Sequence, residues 1–310
     1  MRILVLGAGG IGAYFGGKLA AAGVDVSFLV RPLRARSLVR QGLAINSPLG
    51  DLRVPVQVLT EADSPFDALL LACKAYDLAG AMESIAPAAG PSTVILPLLN
   101  GVRQLDILDA RFGRERVLGG LCHIGVTMNE AGEIQHLNSL QRFVIGARTA
   151  GQDEAARALH EVLERGGFSP ILSTAIMQEM WEKFTFLATY AGMTTLMRAP
   201  IGAILASAEG EAIMREMLGE CTATASACGY APRPDAMTQM TSALTERGST
   251  GTASMLRDMA RNGRTEHEHI IGDMLIRARA ADVSAPLLRL SLANMEAYEA
   301  ERSGTYRQVT

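Results

Sequence analysis

The sequence predicts an α/β chain in two parts, a parallel β-sheet with covering helices followed by an all-helical region. Three observations carry this. Short apolar, β-branched runs alternate with helical periodicity through the first half, a glycine-rich turn follows the first run at once, and beyond Gly166, Gly167 and Pro170 the pattern stays helical.

Residues 2–6 form the first strand, and 10–22 a small-residue helix closed by Gly23. Residues 25–30 are the next apolar run of strand length, with further strands expected at 52–58, 68–73 and 93–98 and helices at 77–85 and 102–111. From 117 to 145 the segments shorten and alternate, with Gly132 and Asn138 at turn positions, which predicts antiparallel edge strands. Residues 153–165 read as an amphipathic helix. The division into domains is placed at residue 172, giving 1–172 and 173–310. Ser173 or Thr174 can cap a long helix running towards Arg198, with Pro200 helping to end it. Later helices are expected at 210–228, 235–246, 252–260, 265–281 and 286–301, with a T-x-x-E capping box from Thr265 and Glu268.

Of the 310 residues, 48% are hydrophobic and 20% charged, enough apolar surface for one or two sizeable cores. The 29 basic and 32 acidic residues nearly balance, at a formal charge of −3, which argues against a nucleic-acid binder. No apolar run reaches the ~20 residues of a membrane span, and the start reads as neither signal peptide nor anchor. Four cysteines without a C-x-x-C pair are expected as buried thiols of a cytoplasmic protein. Met193, Met197, Met214 and Met217 are expected to fill a helical core. His267 and His269 lie two apart on a helix, on different faces, so no metal site is expected there.

The turn Gly7-Ala8-Gly9-Gly10-Ile11-Gly12 is a G-x-G-x-x-G set between a strand and a helix. That placement gives it meaning: the first glycine makes the tight turn, the second lets backbone approach a pyrophosphate, and the third lets helix pack on strand. A site for NAD would carry an acid at the end of the next strand. Here Val30 and Arg31 stand there, followed by Arg34 and Arg36. A guanidinium suits a 2′-phosphate, so NADPH is the expected cofactor; the other reading of these arginines is a solvated basic loop.

Only three lysines occur, at 18, 74 and 183. Lysine can be tuned for proton transfer, whereas arginine cannot give up its proton. Lys183 shares a helical stripe with Met180, Phe184, Leu187 and Ala191 and so faces an apolar environment that favours the neutral amine; otherwise it is a snorkelling side chain or a partner of Glu179 or Glu182. Lys74 and Asn100 follow predicted strands at their carboxyl ends, where ligands sit in parallel sheets. Each also has a purely structural reading, Lys74 as a surface residue and Asn100 as an Asx turn before Gly101.

The chain resembles the ketopantoate reductase (2-dehydropantoate 2-reductase) family over nearly its whole length. The resemblance rests on GAGGIGAYFGG at the start, on Leu71-Ala72-Cys73-Lys74-Ala75 and Leu99-Asn100-Gly101-Val102, and on Trp181-Glu182-Lys183-Phe184. It continues in Ser254-Met255-Leu256-Arg257-Asp258 and Thr265-Glu266. It implies a Rossmann-type N-terminal domain, an all-helical C-terminal domain and an active site in the cleft between them. The reaction it implies is NADPH reduction of a 2-oxo acid to a 2-hydroxy acid, as in pantothenate biosynthesis.

By the same resemblance Lys183 is the general acid and Glu266 the nearby acidic residue. Ser254 binds the substrate carboxylate unless it serves only as a helix N-terminal residue, and Asn100 and Lys74 line the substrate and nicotinamide pocket. Leu187, Ala191 and Ile201 depart from the pattern, standing where asparagines recur in family members with pantoate chemistry. The expected substrate is therefore ketopantoate or a close relative, with a more apolar 2-oxo acid, carbonyl or imine as the alternative. A non-catalytic NADP-binding sensor is the reading from another class, and a homodimer is an open expectation.

Overall fold

The structure, a computed structural model, describes residues 1–305. It divides into two compact units, Met1–Leu99 with Gln104–Ile176, and Asn100–Arg103 with the chain from Met177 onward. Asn100–Arg103 thus sort with the helical part, which a linear division at residue 172 does not contain.

The first unit runs β1 (Ile3–Leu6), α1 (Gly10–Ala21), β2 (Val26–Leu29), α2 (Pro32–Gln41), β3 (Leu43–Asn46), β4 (Leu52–Val54), β5 (Gln57–Leu59) and β6 (Ala68–Leu71). α3 (Leu78–Ile85), β7 (Val94–Pro97), α4 (Arg103–Phe112), β8 (Gly119–Met128), β9 (Ile134–Gly146), α5 (Asp153–Glu164) and β10 (Ile171–Leu172) follow. One sheet has the order β5-β2-β1-β6-β7 and is parallel throughout. Its central strands β1, β2 and β6 are buried at every position, which is why they read as continuous apolar runs rather than alternating ones. β2 and β6 flank β1 on opposite sides, so the loops leaving β1 and β6 diverge at the carboxyl edge, where such sheets bind ligands.

The second sheet, β10-β9-β3-β4 with β8 on β9, holds the antiparallel β8–β9 hairpin and its bulge between Ile124 and Val126. These strands are not edges of the parallel sheet, as their alternation suggested. The single strand expected at 52–58 is two: β4 pairs antiparallel with β3, and β5 pairs parallel with β2. Pro55, which has no N–H to give a ladder, falls at the break.

The second unit is helical. α6 (Ile176–Met197), α7 (Ile201–Leu205), α8 (Gly210–Ala227), α9 (Pro234–Leu244) and α10 (Ser254–Ala260) precede a π-helical turn, Glu268–Gly272. α11 (Asp273–Ala280) and α12 (Pro286–Arg302) close it. α6 stops where Arg198 turns left-handed at φ +52, and Pro200 begins α7 rather than ending α6. The Glu182 carboxylate takes the Arg233 Nε–H at 2.7 Å and its backbone N–H at 3.0 Å, pinning α6 to the start of α9. Glu220 of α8 accepts the N–H groups of Leu287 and Leu288, each at 2.9 Å, capping α12 with a charge that suits a helix N-terminus.

Some expectations are corrected. Thr265 and Glu268 do not form a capping box: the Thr265 backbone N–H and hydroxyl both donate to Glu299 Oε1, at 2.7 and 2.8 Å, so α12 supplies the carboxylate. Met193, Met214 and Met217 are core residues, but Met197 is exposed at the end of its helix. Cys122 and Cys221 are buried, whereas Cys73 and Cys228 are half-buried, and all four are free thiols. Among the described residues no helix is long and apolar enough to cross a membrane.

Candidate active site

In the first unit the glycine turn joins β1 to α1. Gly7 takes φ +94, and a Cβ on Gly12 would collide with the Gly7 carbonyl oxygen and lie 2.9 Å from Ala72 Cβ, so helix and strand meet only because position 12 has no side chain. A Cβ on Gly9 would meet nothing within 4 Å, leaving open space on that side of the loop. α1 has no acidic residue in its first turn and no side-chain cap, so its leading N–H groups suit an anion. Ala8, Gly10 and Ile11 complete the turn.

Arg31 is the N-cap residue of α2, with its side chain 81% exposed and paired to Asp77 at 3.0 Å. An exposed pair of this kind is worth little and can be exchanged for a phosphate at small cost. Arg34 donates from Nε to the Ala8 carbonyl at 3.3 Å and from Nη1 to the Gly132 carbonyl at 2.8 Å. Its buried Nη2 has no hydrogen-bond partner, and burial pushes the guanidinium below its usual pKa. A buried cationic donor left unpaired beside the glycine turn is a second feature that fits an anionic nucleotide. Lys74, half-buried, precedes the short 3₁₀ turn after β6 at the sheet's carboxyl edge.

In the second unit, Asn100, Leu187, Tyr190, Ala191, Ala253, Ser254, Met255, Asp258, Glu266 and Ile270 line a cavity of about 60 Å³. Lys183, half-buried on α6, donates from Nζ to Asn100 Oδ1 at 3.0 Å. Asn100 is placed by Gly101, which takes φ +87 with its Cα side turned to the π-helical turn: a Cβ there would lie 3.2 Å from the His269 carbonyl oxygen. The same turn lets the Glu266 carbonyl accept both the His269 and Ile270 N–H groups, at 3.0 and 3.1 Å, and both Glu266 and Ile270 border the cavity. Burial pushes the His269 imidazole down to about 4, with Arg103 and Arg277 adding to the effect, so it is neutral at ordinary pH.

The structure therefore places Asn100, Ser254 and Glu266, with Leu187 and Ala191, in the lining of one cavity, and Lys183 is joined to it through its hydrogen bond to Asn100. Ile201 is placed elsewhere, buried on α7 with its N–H on the Gly251 carbonyl at 3.1 Å. Met180 and Phe184, expected on the same stripe as Lys183, are core residues. Tyr190 and Asp258 were missed. Both were within reach of helical spacing, since Tyr190 is three residues past Leu187 and Asp258 four past Ser254. A proton donor beside a carbonyl-sized cavity bordered by a carboxylate, an amide and a hydroxyl can protonate an oxygen that gains electrons.

Residues 3–150 match the family described as Ketopantoate reductase PanE/ApbA, and residues 175–299 match its C-terminal counterpart, Ketopantoate reductase PanE/ApbA C terminal. The uncharacterized oxidoreductase YkpB of Bacillus subtilis (strain 168) is 36% identical over 97% of this chain and all of its own length. The crystal structure of a PanE/ApbA family ketopantoate reductase from Ralstonia eutropha JMP134 superposes with a TM-score of 0.88 at 25% identity, covering 98% of this chain and 100% of that one. D-mandelate dehydrogenase, in its ternary structure with NADH and anilino(oxo)acetate, shares the fold at a TM-score of 0.88 and 20% identity, over 98% and 100% of the two chains. With family matches spanning both units and an oxidoreductase relative aligned end to end, the chain belongs to the ketopantoate reductase PanE/ApbA family.

Proposed function

We propose that the protein uses NADPH to reduce a 2-oxo acid to the 2-hydroxy acid, with ketopantoate or a close relative as substrate and Lys183 as the general acid. The carrying observation is the 3.0 Å hydrogen bond from Lys183 Nζ to Asn100 Oδ1 beside a cavity that Ser254 and Glu266 also line. In this reading the residues up to 172 form the nucleotide domain and those from 173 the substrate domain. The turn from Gly7 to Gly12 holds the pyrophosphate, Arg31 meets the 2′-phosphate, and Lys74 contributes to both nicotinamide and substrate binding.

A reduced nicotinamide nucleotide, which the turn from Gly7 to Gly12 would hold by its pyrophosphate, would supply the hydride that C2 of the acid accepts. As that carbon–hydrogen bond forms, the carbonyl π pair moves to oxygen, and Lys183 delivers its proton there, leaving a 2-hydroxy acid and a neutral amine. Asn100 fixes the amine through Oδ1 and keeps its amide N–H groups for the acid. Ser254 donates to the carboxylate, and Glu266 is the acidic partner that supports the charged lysine.

A second reading has its own observation. Leu187 and Ala191 line the cavity together with Met255 and Ile270, so a longer or branched apolar side chain gains where a hydroxylated one meets hydrocarbon at positions 187 and 191 in place of amide donors. Each buried methylene contributes ~0.8 kcal/mol, so two or three offset one hydrogen bond of about 1 kcal/mol.

NADPH consumption by the purified full-length protein over a panel of 2-oxo acids tests both readings. Turnover with at least one acid is expected, and none would overturn the proposal. If an apolar acid matches ketopantoate in kcat/KM, Leu187→Asn should move the ratio back towards ketopantoate; a preference of more than about a hundredfold for ketopantoate removes the second reading. Direct titration should show tighter binding of NADPH than NADH, and Arg31→Ala should weaken NADPH by about 1–3 kcal/mol.

A further inference from the structure

In the parallel sheet β1 lies between β2 and β6, so the glycine turn that leaves β1 is flanked by the ends of those two strands. Gly7 donates its N–H to the Leu29 carbonyl at the end of β2, at 3.1 Å, and Ala72, just past β6, donates to the Leu6 carbonyl at 3.0 Å. Arg31 stands two residues beyond β2 and Asp77 six residues beyond β6. Two strand spacings separate these ends, about 10 Å. The Arg31–Asp77 ion pair, 3.0 Å from Nη2 to Oδ1, closes that gap beside the turn.

Local needs do not account for the contact. Asp77 is the N-cap residue of α3, where an aspartate commonly accepts an N–H of the first turn, yet its side chain makes no capping bond and reaches Arg31 instead. The guanidinium is largely exposed, so the pair adds little to stability. Its effect is to put a carboxylate on the guanidinium that a 2′-phosphate would take. Such a phosphate carries close to two negative charges at neutral pH. To reach Arg31 it must displace Asp77 and then lie about 6 Å from the released carboxylate, a repulsion that in near-aqueous surroundings lowers affinity by about tenfold. NADH has no phosphate there and leaves the pair closed.

We propose that Asp77 is a specificity-determining residue of the nucleotide site: by holding Arg31 and opposing a 2′-phosphate, it narrows the preference for NADPH over NADH. This rests on the reading that Arg31 meets that phosphate.

The test uses the full-length protein, titrated with NADPH and with NADH in the absence of substrate and followed by nucleotide fluorescence. Asp77→Asn keeps the size of the side chain and removes its charge. It should bind NADPH about tenfold more tightly than wild type and NADH within about threefold of it. Asp77→Glu keeps the charge and should leave both affinities within about threefold of wild type. In 1 M salt, where the Debye length is about 3 Å, the gain from Asp77→Asn should shrink to less than about threefold.

An unchanged ratio of the two affinities in Asp77→Asn overturns the proposal, and so does a gain that Asp77→Glu shares or that 1 M salt leaves intact. If Asp77→Asn does not fold, Asp77→Ala decides by the same ratio. Weaker NADPH binding in Arg31→Ala with no response to Asp77→Asn upholds the role of Arg31 and overturns that of Asp77. Wild-type protein that prefers NADH, but gains NADPH affinity on Asp77→Asn, sinks the NADPH reading and upholds this one. Protein that binds neither nucleotide overturns both.

Discussion

Lys183 is one of three lysines in a chain that otherwise takes its positive charge from arginine, and it donates to the side chain of Asn100, 83 residues away in sequence. If this amine supplies the proton in the proposed reduction, Lys183→Ala should leave NADPH binding nearly intact and lower turnover by about a hundredfold or more, the usual scale for a lost general acid. Steady-state kinetics beside a nucleotide titration and a thermal melt separate the cases. Wild-type turnover, or inactivity explained by unfolding, makes the lysine structural. At this scale the sequence was informative where a residue type is rare or sits at a recognisable turn: Asn100, Ser254 and Glu266 line one cavity, and Lys183 hydrogen-bonds to Asn100. It was silent on Tyr190 because an aromatic at helical spacing reads as core, and only the structure places that side chain in the cavity lining. Ile201, expected near the turn after the long helix, is buried on α7 and is not among the residues lining the cavity.

Among the elements, α1 shows most clearly how backbone chemistry builds a binding feature. Gly9 and Gly12 do different work, and substitution separates them. Gly12→Ala drives a methyl into the Gly7 carbonyl and against Ala72, and overpacking of that kind costs about 1–3 kcal/mol, more than the ~1 kcal/mol that helix propensity returns. Gly9→Ala meets nothing in the protein, so stability should hold within about 0.5 kcal/mol while NADPH affinity falls by about tenfold or more, as the methyl enters the space for the nucleotide. Denaturant unfolding and nucleotide titration of both variants check this; equal loss of stability in the two would refute the division of roles. β1, α1, β2, β6 and β7 were legible because a buried parallel strand is a continuous apolar run and its turn is marked by glycine. α2 and β3 were not, since Pro32–Gln41 is arginine-rich and mostly exposed and only four residues form the strand that follows. The π-helical turn at Glu268–Gly272 was also hidden, being set by the packing of Gly101 and α12 around it rather than by local preference.

For the molecule as a whole, buried histidines set the response to acid. His269 is buried and its pKa is pushed from 6.5 to about 4, and burial also lowers that of His267 despite the opposing charges of Glu268, Glu299 and Glu296. Above pH 6.5 these imidazoles are neutral in both folded and unfolded chains and leave stability unchanged. Below it the unfolded chain takes up protons that the folded chain refuses, so stability falls as pH drops towards about 4, where His269 protonates in place. At 1.36 kcal/mol per pKa unit, His269 alone accounts for a loss of about 2 kcal/mol by pH 5 and about 3 kcal/mol in full. Carboxylates act in a lower window. Glu182, paired with Arg233, and Glu299, hydrogen-bonded by Thr265 and Arg302, hold pKa values below 4.5, so the stability they contribute is present above 4.5 and is lost as pH falls further. The two windows predict a profile that is level above about pH 7, declines from 6.5, and steepens below 4.5. Urea unfolding at a series of pH values reads it directly. His269→Gln, which retains a polar side chain but cannot take up the proton, should flatten the limb between 6.5 and 4.5 while leaving the acid limb in place. A wild-type profile still level at pH 5 would show that protons reach these imidazoles in the folded protein as easily as in water.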